Sequence, residues 1–322
     1  MKKKVLLVQP FRAEHIERLY NTEKYDVIQS DEPTDEELSE AEIILGMPTA
    51  QQLEKAQKLE WVQISSAGNE KYMKIFPDGV ILTNLSGAFG RSMSEFALTM
   101  VLNLYKHLHL CRDNQNNAFW HDEGRQKSPR GKNVLLLGAG NIASETAELF
   151  KAFECSITAI RRIAGIEAKY PFDRFETLDS LDEELKKADI IICALPETKK
   201  TKKLLNKERL LLLKPDAVLI NLGRGSLIDT DALVEILNEN RILGAALDVT
   251  DPEPLPEEHP LWKCRNAIIT PHITGGSLGH LDETERRLFE ICSENLQRYA
   301  EGKPLLNKVD FSSGYRQNEN RK

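Results

Sequence analysis

Three segments in the second half of the chain carry residues whose types and placement suit electrostatic and acid–base chemistry. The first, Asn221-Leu222-Gly223-Arg224-Gly225-Ser226, follows an apolar run over residues 217–220. An Arg flanked by glycines at a strand's C-terminal end sits where α/β proteins place ligands, and its planar cation suits a carboxylate or a polarised keto oxygen. The second is Leu247-Asp248-Val249-Thr250-Asp251-Pro252-Glu253-Pro254-Leu255-Pro256, another strand end. Its prolines stiffen the loop and would hold Glu253 at one place. The third is Ile268-Ile269-Thr270-Pro271-His272-Ile273-Thr274-Gly275-Gly276, in which His272 lies at a further strand end ahead of small residues that leave room for a ligand. Each segment also has a plainer reading: a surface turn arginine, a proline-rich turn with an exposed carboxylate, a structural histidine. A His, a Glu and an Arg at strand C-termini of one sheet are less easily dismissed together.

Upstream lies Leu135-Leu136-Leu137-Gly138-Ala139-Gly140-Asn141-Ile142-Ala143, an apolar run ending in Gly-x-Gly-x-x-Ala with a helical pattern behind it. The first Gly allows a tight turn. The second lets backbone approach a phosphate, and the small third residue lets helix pack on strand. Such a loop also occurs in ordinary turns, but strand, loop, helix and strand in succession favour a dinucleotide site. The next strand, residues 155–160, ends at Arg161-Arg162, about twenty residues beyond Gly140, where an acidic residue would read the ribose 2′-hydroxyl of NAD. Two guanidinium groups there suit a 2′-phosphate and point to NADP(H), with NAD(H) open; the alternative is two solvated surface arginines.

The elements that must position these residues follow α/β grammar. The chain has 322 residues, 41% hydrophobic and 29% charged, enough for two domains with full cores. A net charge of −7 does not favour nucleic acid or an anionic membrane. Cys111, Cys155, Cys193, Cys264 and Cys292 are scattered without a CxxC pair, so neither a disulfide framework nor a metal site is expected, and a cytoplasmic location fits. The N-terminal apolar run ends at Gln9-Pro10, too short for a signal segment, and no run approaches a membrane span. Strands are expected at residues 5–8, 25–28, 43–45, 61–64 and 80–83, then at 133–137, 156–160, 190–194, 217–221, 242–248 and 267–270, with helical patterns between them. Long helices are expected at 92–111 and 278–299, and residues 311–322 are polar and expected to fray. Two long helices bracketing the glycine-loop block imply an inserted domain: residues 1–103 and 282–322 outside, 104–281 inside, with hinges near 104 and 281.

Taken together, these segments resemble the D-isomer-specific 2-hydroxyacid dehydrogenases, including glyoxylate/hydroxypyruvate reductases and phosphoglycerate dehydrogenases. The likeness extends to Ala194-Leu195-Pro196, to Ser65-Ser66-Ala67-Gly68 and to the helix bearing Glu95, and covers nearly the whole chain. It implies two doubly wound parallel-sheet domains, a Rossmann nucleotide-binding domain inserted into a flavodoxin-like substrate domain. It implies hydride transfer between NAD(P)H and a 2-keto acid, giving a D-2-hydroxy acid. Arg224 would bind the substrate carboxylate and polarise the keto oxygen, His272 would be the general acid–base, and Glu253 would hold the imidazole and favour its charged form. Ala67 and Gly68 would join Arg224 and His272 around the substrate. The cofactor would meet Gly138, Gly140, Asn141 and Ile142, then Arg161, Arg162, Leu195, Pro196 and Thr201. It would also meet Leu222, Gly223, His272 and Gly275, with Asp248 at the nicotinamide carboxamide. No metal is implied, and a homodimer through the helix at 92–111 is.

The departures from that pattern are Ala143 for the third Gly, Arg161-Arg162 for the acidic residue, and Met93 for a smaller aliphatic that alters the substrate pocket. Glu253 stands where formate dehydrogenase has Gln. Two alternatives resemble the same chain: a short phosphoglycerate dehydrogenase, and a non-catalytic NAD(H)-sensing module like the C-terminal-binding-protein corepressors.

Overall fold

The computed structural model describes residues 2–8, 11–20, 23–276, 281–311 and 315–316. Gln9-Pro10, most of the polar C-terminal tail and the expected helix start at Leu278 lie outside the described residues. The chain divides into two compact units, Met1–Phe89 with Gly276–Lys322, and Gly90–Gly275.

The first unit alternates β1 (Lys3–Val8), α1 (Ala13–Tyr20), β2 (Tyr25–Gln29), α2 (Asp35–Glu40), β3 (Ile43–Gly46), α3 (Ala50–Lys55), β4 (Trp61–Gln63) and β5 (Ile81–Thr83). Its sheet has the order β2-β1-β3-β4-β5 and is parallel throughout, a flavodoxin-like doubly wound arrangement. Local chemistry starts the helices. Thr34 with Glu37, and Thr49 with Gln52, form capping boxes at α2 and α3.

The second unit opens with α4 (Gly90–Tyr105) and α5 (Leu108–Asn116), followed by β6 (Asn133–Leu137), α6 (Asn141–Lys151), β7 (Ser156–Ile160) and β8 (Arg174–Glu176). Then come α7 (Leu181–Lys187), β9 (Ile190–Cys193), α8 (Lys207–Leu210), β10 (Val218–Asn221), α9 (Thr230–Asn238), β11 (Gly244–Leu247) and β12 (Ala267–Ile269). The sheet order is β12-β11-β10-β9-β6-β7-β8, all parallel. The chain reverses its direction of growth between β6 and β9, the switch point at which open α/β sheets bind ligands. Strands β9 and β10 are buried along their whole length, as expected of strands covered on both faces.

The long helix expected at 92–111 is two helices. It breaks at Lys106-His107, where His107 adopts a left-handed backbone, φ 55°. The division between units falls at Phe89/Gly90 rather than near 104, because α4 packs on α6 and buries Ala97, Val101 and Leu104 within the second unit. Strand β8 was not foreseen; it is a three-residue edge strand with one apolar residue, Phe175.

The chain returns to the first unit as α10 (Asp282–Ala300), which buries Leu288, Phe289, Cys292 and Leu296. Asn295 is fully buried and donates to Gln63 Oε1 at 2.7 Å, while its own Oδ1 accepts from Leu306 N at 2.7 Å. Trp61 Nε1 donates to Thr83 Oγ1 at 2.8 Å, and Thr83 donates to Gln63 at 2.8 Å. Every polar group in this buried run finds a partner, which ties α10 to β4 and β5.

At the start of the sheet Glu42 accepts from Lys4 N at 2.9 Å and from Lys3 Nζ at 2.9 Å. The Lys4 N–H and the Lys3 ammonium hold its carboxyl below the usual carboxylate value. A depressed carboxylate contributes stability that is present above its unfolded pKa and lost as pH falls through the folded one. Glu42→Gln should therefore melt about 2 °C below the native chain at pH 7, from a loss of about 1 kcal/mol. Melting curves between pH 7 and 3 should show that gap closing below about pH 4; a constant gap would refute the assignment.

Candidate active site

The glycine loop is built as its residue types require. Gly138 has φ +126°, and a Cβ there would lie 3.0 Å from Ala194 O. Its N–H donates to Ile160 O at 3.1 Å, joining the loop to the end of β7. Gly140 is the N-cap of α6, with extended backbone and no side chain capping the helix, and a Cβ placed on it would meet nothing within 4 Å. The first turn of this eleven-residue helix thus has no side-chain cap at its N-terminus among the described residues, which leaves its N–H groups suited to an anion. Ala143 is buried, doing the work of the third glycine. These residues fit a dinucleotide pyrophosphate.

Arg161 follows β7. Its N–H donates to Glu176 O at 2.8 Å, and its guanidinium lies 4.8 Å over the Phe175 ring, with Nε buried and unbonded. It is therefore not the freely solvated arginine of the plainer reading but a half-buried one stacked on an edge-strand aromatic. Arg162 beside it is exposed. On the β9 side, Thr201 is buried and donates to Pro196 O at 2.8 Å, which fixes the turn that carries Leu195 and Pro196.

The three segments with candidate chemistry converge at the adjacent ends of β10, β11 and β12. Asn221 holds the arginine turn from inside: its Oδ1 accepts from Gly223 N at 3.1 Å and its Nδ2 donates to Arg224 O at 3.0 Å. Leu222 is buried beneath this turn. The Arg224 side chain is half-buried and donates to Gly223 O at 2.8 Å. Thr250 donates to Pro252 O and Thr230 to Asp251 O, both at 2.8 Å, shaping the loop that presents Glu253. His272 Nδ1 lies 2.7 Å from Glu253 Oε1, and both side chains are about half exposed. A carboxylate on Nδ1 orients the ring and leaves Nε2 for proton exchange with a ligand.

Asp248 is almost fully buried. Its carboxylate accepts hydrogen bonds from Thr270, Ile273 and Thr274, which reach it because β11 and β12 are neighbours in the sheet. Ser92, at the start of α4, donates to Thr274 O at 2.6 Å and was not anticipated. Gly275 ends the second unit. Met93 is largely buried in α4. Asn141 and Ile142 open α6, and Asn141 Nδ2 donates to Glu145 Oε1 at 3.0 Å.

Ala67 and Gly68 belong to the first unit. They lie in the loop after β4, where Ser66 Oγ donates to Gly68 O at 2.6 Å and Asn84 Nδ2 to Ala67 O at 2.9 Å. Among the described residues no group of three or more His, Cys, Asp or Glu could hold a metal ion. No helix among them is long and apolar enough to cross a membrane.

Residues 98–274 match the family model for the NAD binding domain of D-isomer specific 2-hydroxyacid dehydrogenases. The chain is 34% identical over 242 residues to a glyoxylate reductase of Thermofilum pendens, covering 71% of this chain and 69% of the relative. Among solved structures, a D-isomer specific 2-hydroxyacid dehydrogenase family protein of Aeromonas salmonicida superposes with a TM-score of 0.86 at 30% identity, covering 97% of this chain and 100% of that one. A D-isomer specific 2-hydroxyacid dehydrogenase of Xanthobacter autotrophicus, in complex with NADPH and MES, superposes with a TM-score of 0.81 at 25% identity over 98% of this chain and 100% of that one. With two doubly wound sheets and a cradle for a nicotinamide dinucleotide, the chain belongs to the D-isomer specific 2-hydroxyacid dehydrogenase family of NAD(P)-dependent oxidoreductases.

Proposed function

We propose that the protein is a cytoplasmic, homodimeric reductase of small 2-keto acids that favours NADPH over NADH and forms D-2-hydroxy acids. The observation that carries this reading is the 2.7 Å contact of His272 with Glu253, on the strand edge that also presents Arg224. The bound reduced nicotinamide supplies the hydride to C2. Arg224 binds the substrate carboxylate and stabilises the negative charge that develops on the keto oxygen. His272 gives that oxygen a proton from Nε2 while Glu253 holds Nδ1–H and so fixes the tautomer. Backbone N–H groups at Ala67 and Gly68 are proposed as further carboxylate donors. In the oxidative direction the same groups act in reverse.

Support for NADPH comes from the stacked Arg161, with Arg162 next to it, and from the NADPH complex of the Xanthobacter relative. Support for a dimer comes from apolar surface after α4 rather than on it: Leu108 and Phe119 are more than half exposed and Trp120 is fully exposed.

Purified protein offered glyoxylate, hydroxypyruvate, 3-phosphohydroxypyruvate and phenylpyruvate with each dinucleotide should turn over at least one of them. His272→Ala should lose at least ~10²-fold in kcat while still binding dinucleotide. Dinucleotide binding without turnover of any keto acid would favour the sensing module instead, and selective turnover of the phosphorylated acid the short phosphoglycerate dehydrogenase. Arg161→Asp with Arg162→Ala should lower the NADPH-to-NADH ratio of kcat/KM by about tenfold or more. A native ratio already favouring NADH, or one unmoved by the substitutions, would reject the NADP(H) preference. Light scattering should give twice the 36.5 kDa chain mass and shift toward monomer in Trp120→Ala; a monomeric native protein would reject the dimer.

A further inference from the structure

We infer that Asn84 is a positioning residue for the substrate: with the adjoining Leu85 N–H, it holds the loop after β4 so that the Ala67 and Gly68 N–H groups stand side by side for the carboxylate of the keto acid. This rests on the reading of those two groups as carboxylate donors. Each of the two peptide planes is held from its carbonyl side. Ser66 O, in the peptide that carries the Ala67 N–H, accepts from Leu85 N at 2.9 Å. Ala67 O, in the peptide that carries the Gly68 N–H, accepts from Asn84 Nδ2 at 2.9 Å. Both peptides are trans, and in a trans peptide the N–H points opposite to the C=O. Two consecutive carbonyls turned toward residues 84–85 therefore turn two consecutive N–H groups away from them. Neither N–H meets an acceptor among the described residues, and Ala67 is exposed. Successive free N–H groups on one side of a turn make an anion site.

Position 84 suits an amide. Asn84 follows β5 directly and is only 4% exposed. Its Oδ1 accepts from Ser86 N at 3.1 Å while its Nδ2 donates to Ala67 O, so one end must accept and the other donate. Its main chain is fixed as well. Asn84 N donates to Asn307 O at 3.2 Å, and Asn307 Nδ2 donates to Ser86 O at 2.7 Å. Ser66 Oγ, donating to Gly68 O at 2.6 Å, closes the loop from within. The buried amide is thus anchored on one side and bonded to the loop on the other. Asn84 touches the loop rather than the substrate, and its effect reaches the substrate through the N–H that it aims.

Hydride transfer leaves the substrate carboxylate unchanged. Its donors therefore bind ground state and transition state alike, and loosening them raises KM more than it lowers kcat. Asn84→Ser keeps a hydroxyl that can accept from Ser86 N but falls short of Ala67 O. In the full-length protein this variant should raise KM for the keto acid about tenfold, with kcat held within about threefold. Oxamate, a carboxylate isosteric with a small 2-keto acid, should bind the NADPH complex more weakly by the same factor, while the Kd for NADPH itself is kept. Asn84→Ala removes both ends of the amide and should change KM and oxamate binding in the same direction; it decides the matter if Asn84→Ser does not fold. In the native protein, the amide proton resonances of Ala67 and Gly68 should move downfield when oxamate joins the NADPH complex. A merely structural role would lower the melting temperature and kcat and leave oxamate affinity as it was, which would overturn the proposal. So would native Ala67 and Gly68 resonances that bound oxamate leaves in place. A native protein that neither turns over a keto acid nor binds oxamate would instead sink the functional reading, and this proposal with it.

Discussion

Gly225 lies where a Cβ would fall 1.8 Å from the Thr250 carbonyl oxygen, and Gly223 where one would fall 2.7 Å from Leu195 O. Together with Gly138 against Ala194 O, these close approaches let the loops after β6, β9, β10 and β11 pack backbone on backbone. The parallel register makes the approach possible. Leu137 pairs with Cys193, Cys193 with Asn221, and Asn221 with Leu247, so the four strands end level and their loops leave at one height. Any side chain at Gly225 would push the Arg224 turn away from the Glu253 loop. The chemistry at this edge therefore rests first on backbone packing and only then on the reactive groups.

Environment separates the roles of otherwise similar groups there. Asp248 and Glu253 sit five residues apart on one loop. The first is buried and satisfied by four donors, which makes its charge tolerable and its position rigid. The second is half exposed and bonded to one imidazole, which leaves it able to follow the charge on that ring. Arg161 is similarly distinguished from Arg162. It is stacked on Phe175, so less side-chain freedom remains to be lost when it meets an anion.

The first unit is organised around a different device. Its buried polar run from Trp61 through Thr83 and Gln63 to Asn295 specifies how α10 sits on the sheet, whereas apolar contacts at Leu288, Phe289, Cys292 and Leu296 supply most of the burial. Fully bonded polar groups tolerate few alternative packings, so such a run fixes register where an apolar seam would permit sliding. The loop that bears Ala67 and Gly68 is held by the same part of the unit, through Asn84 at the end of β5.

Apolar runs of strand length, alternating with helical periodicity, determined from sequence alone that the sheets are parallel with helices on both faces, while the two doubly wound domains were what the family resemblance implied. The strands at 133–137 and 156–160 coincide with β6 and β7 to the residue, because each apolar run there is bounded by turn or polar residues. The positions of the glycine loop, Arg224, Glu253 and His272 just beyond strands were legible because each follows an apolar run of strand length. Strand β8 was not, since a three-residue edge strand buries too little to leave a periodic signal. Nor was the break at His107, which nothing in the local pattern of an apolar helix announces. Above all, the chain order does not state where a carboxylate points. Asp248 reads as a strand-end acid, and only the tertiary structure supplies the donors that it meets within the protein. Its partners at 270, 273 and 274 come within hydrogen-bonding distance solely because β11 and β12 are neighbours in the sheet.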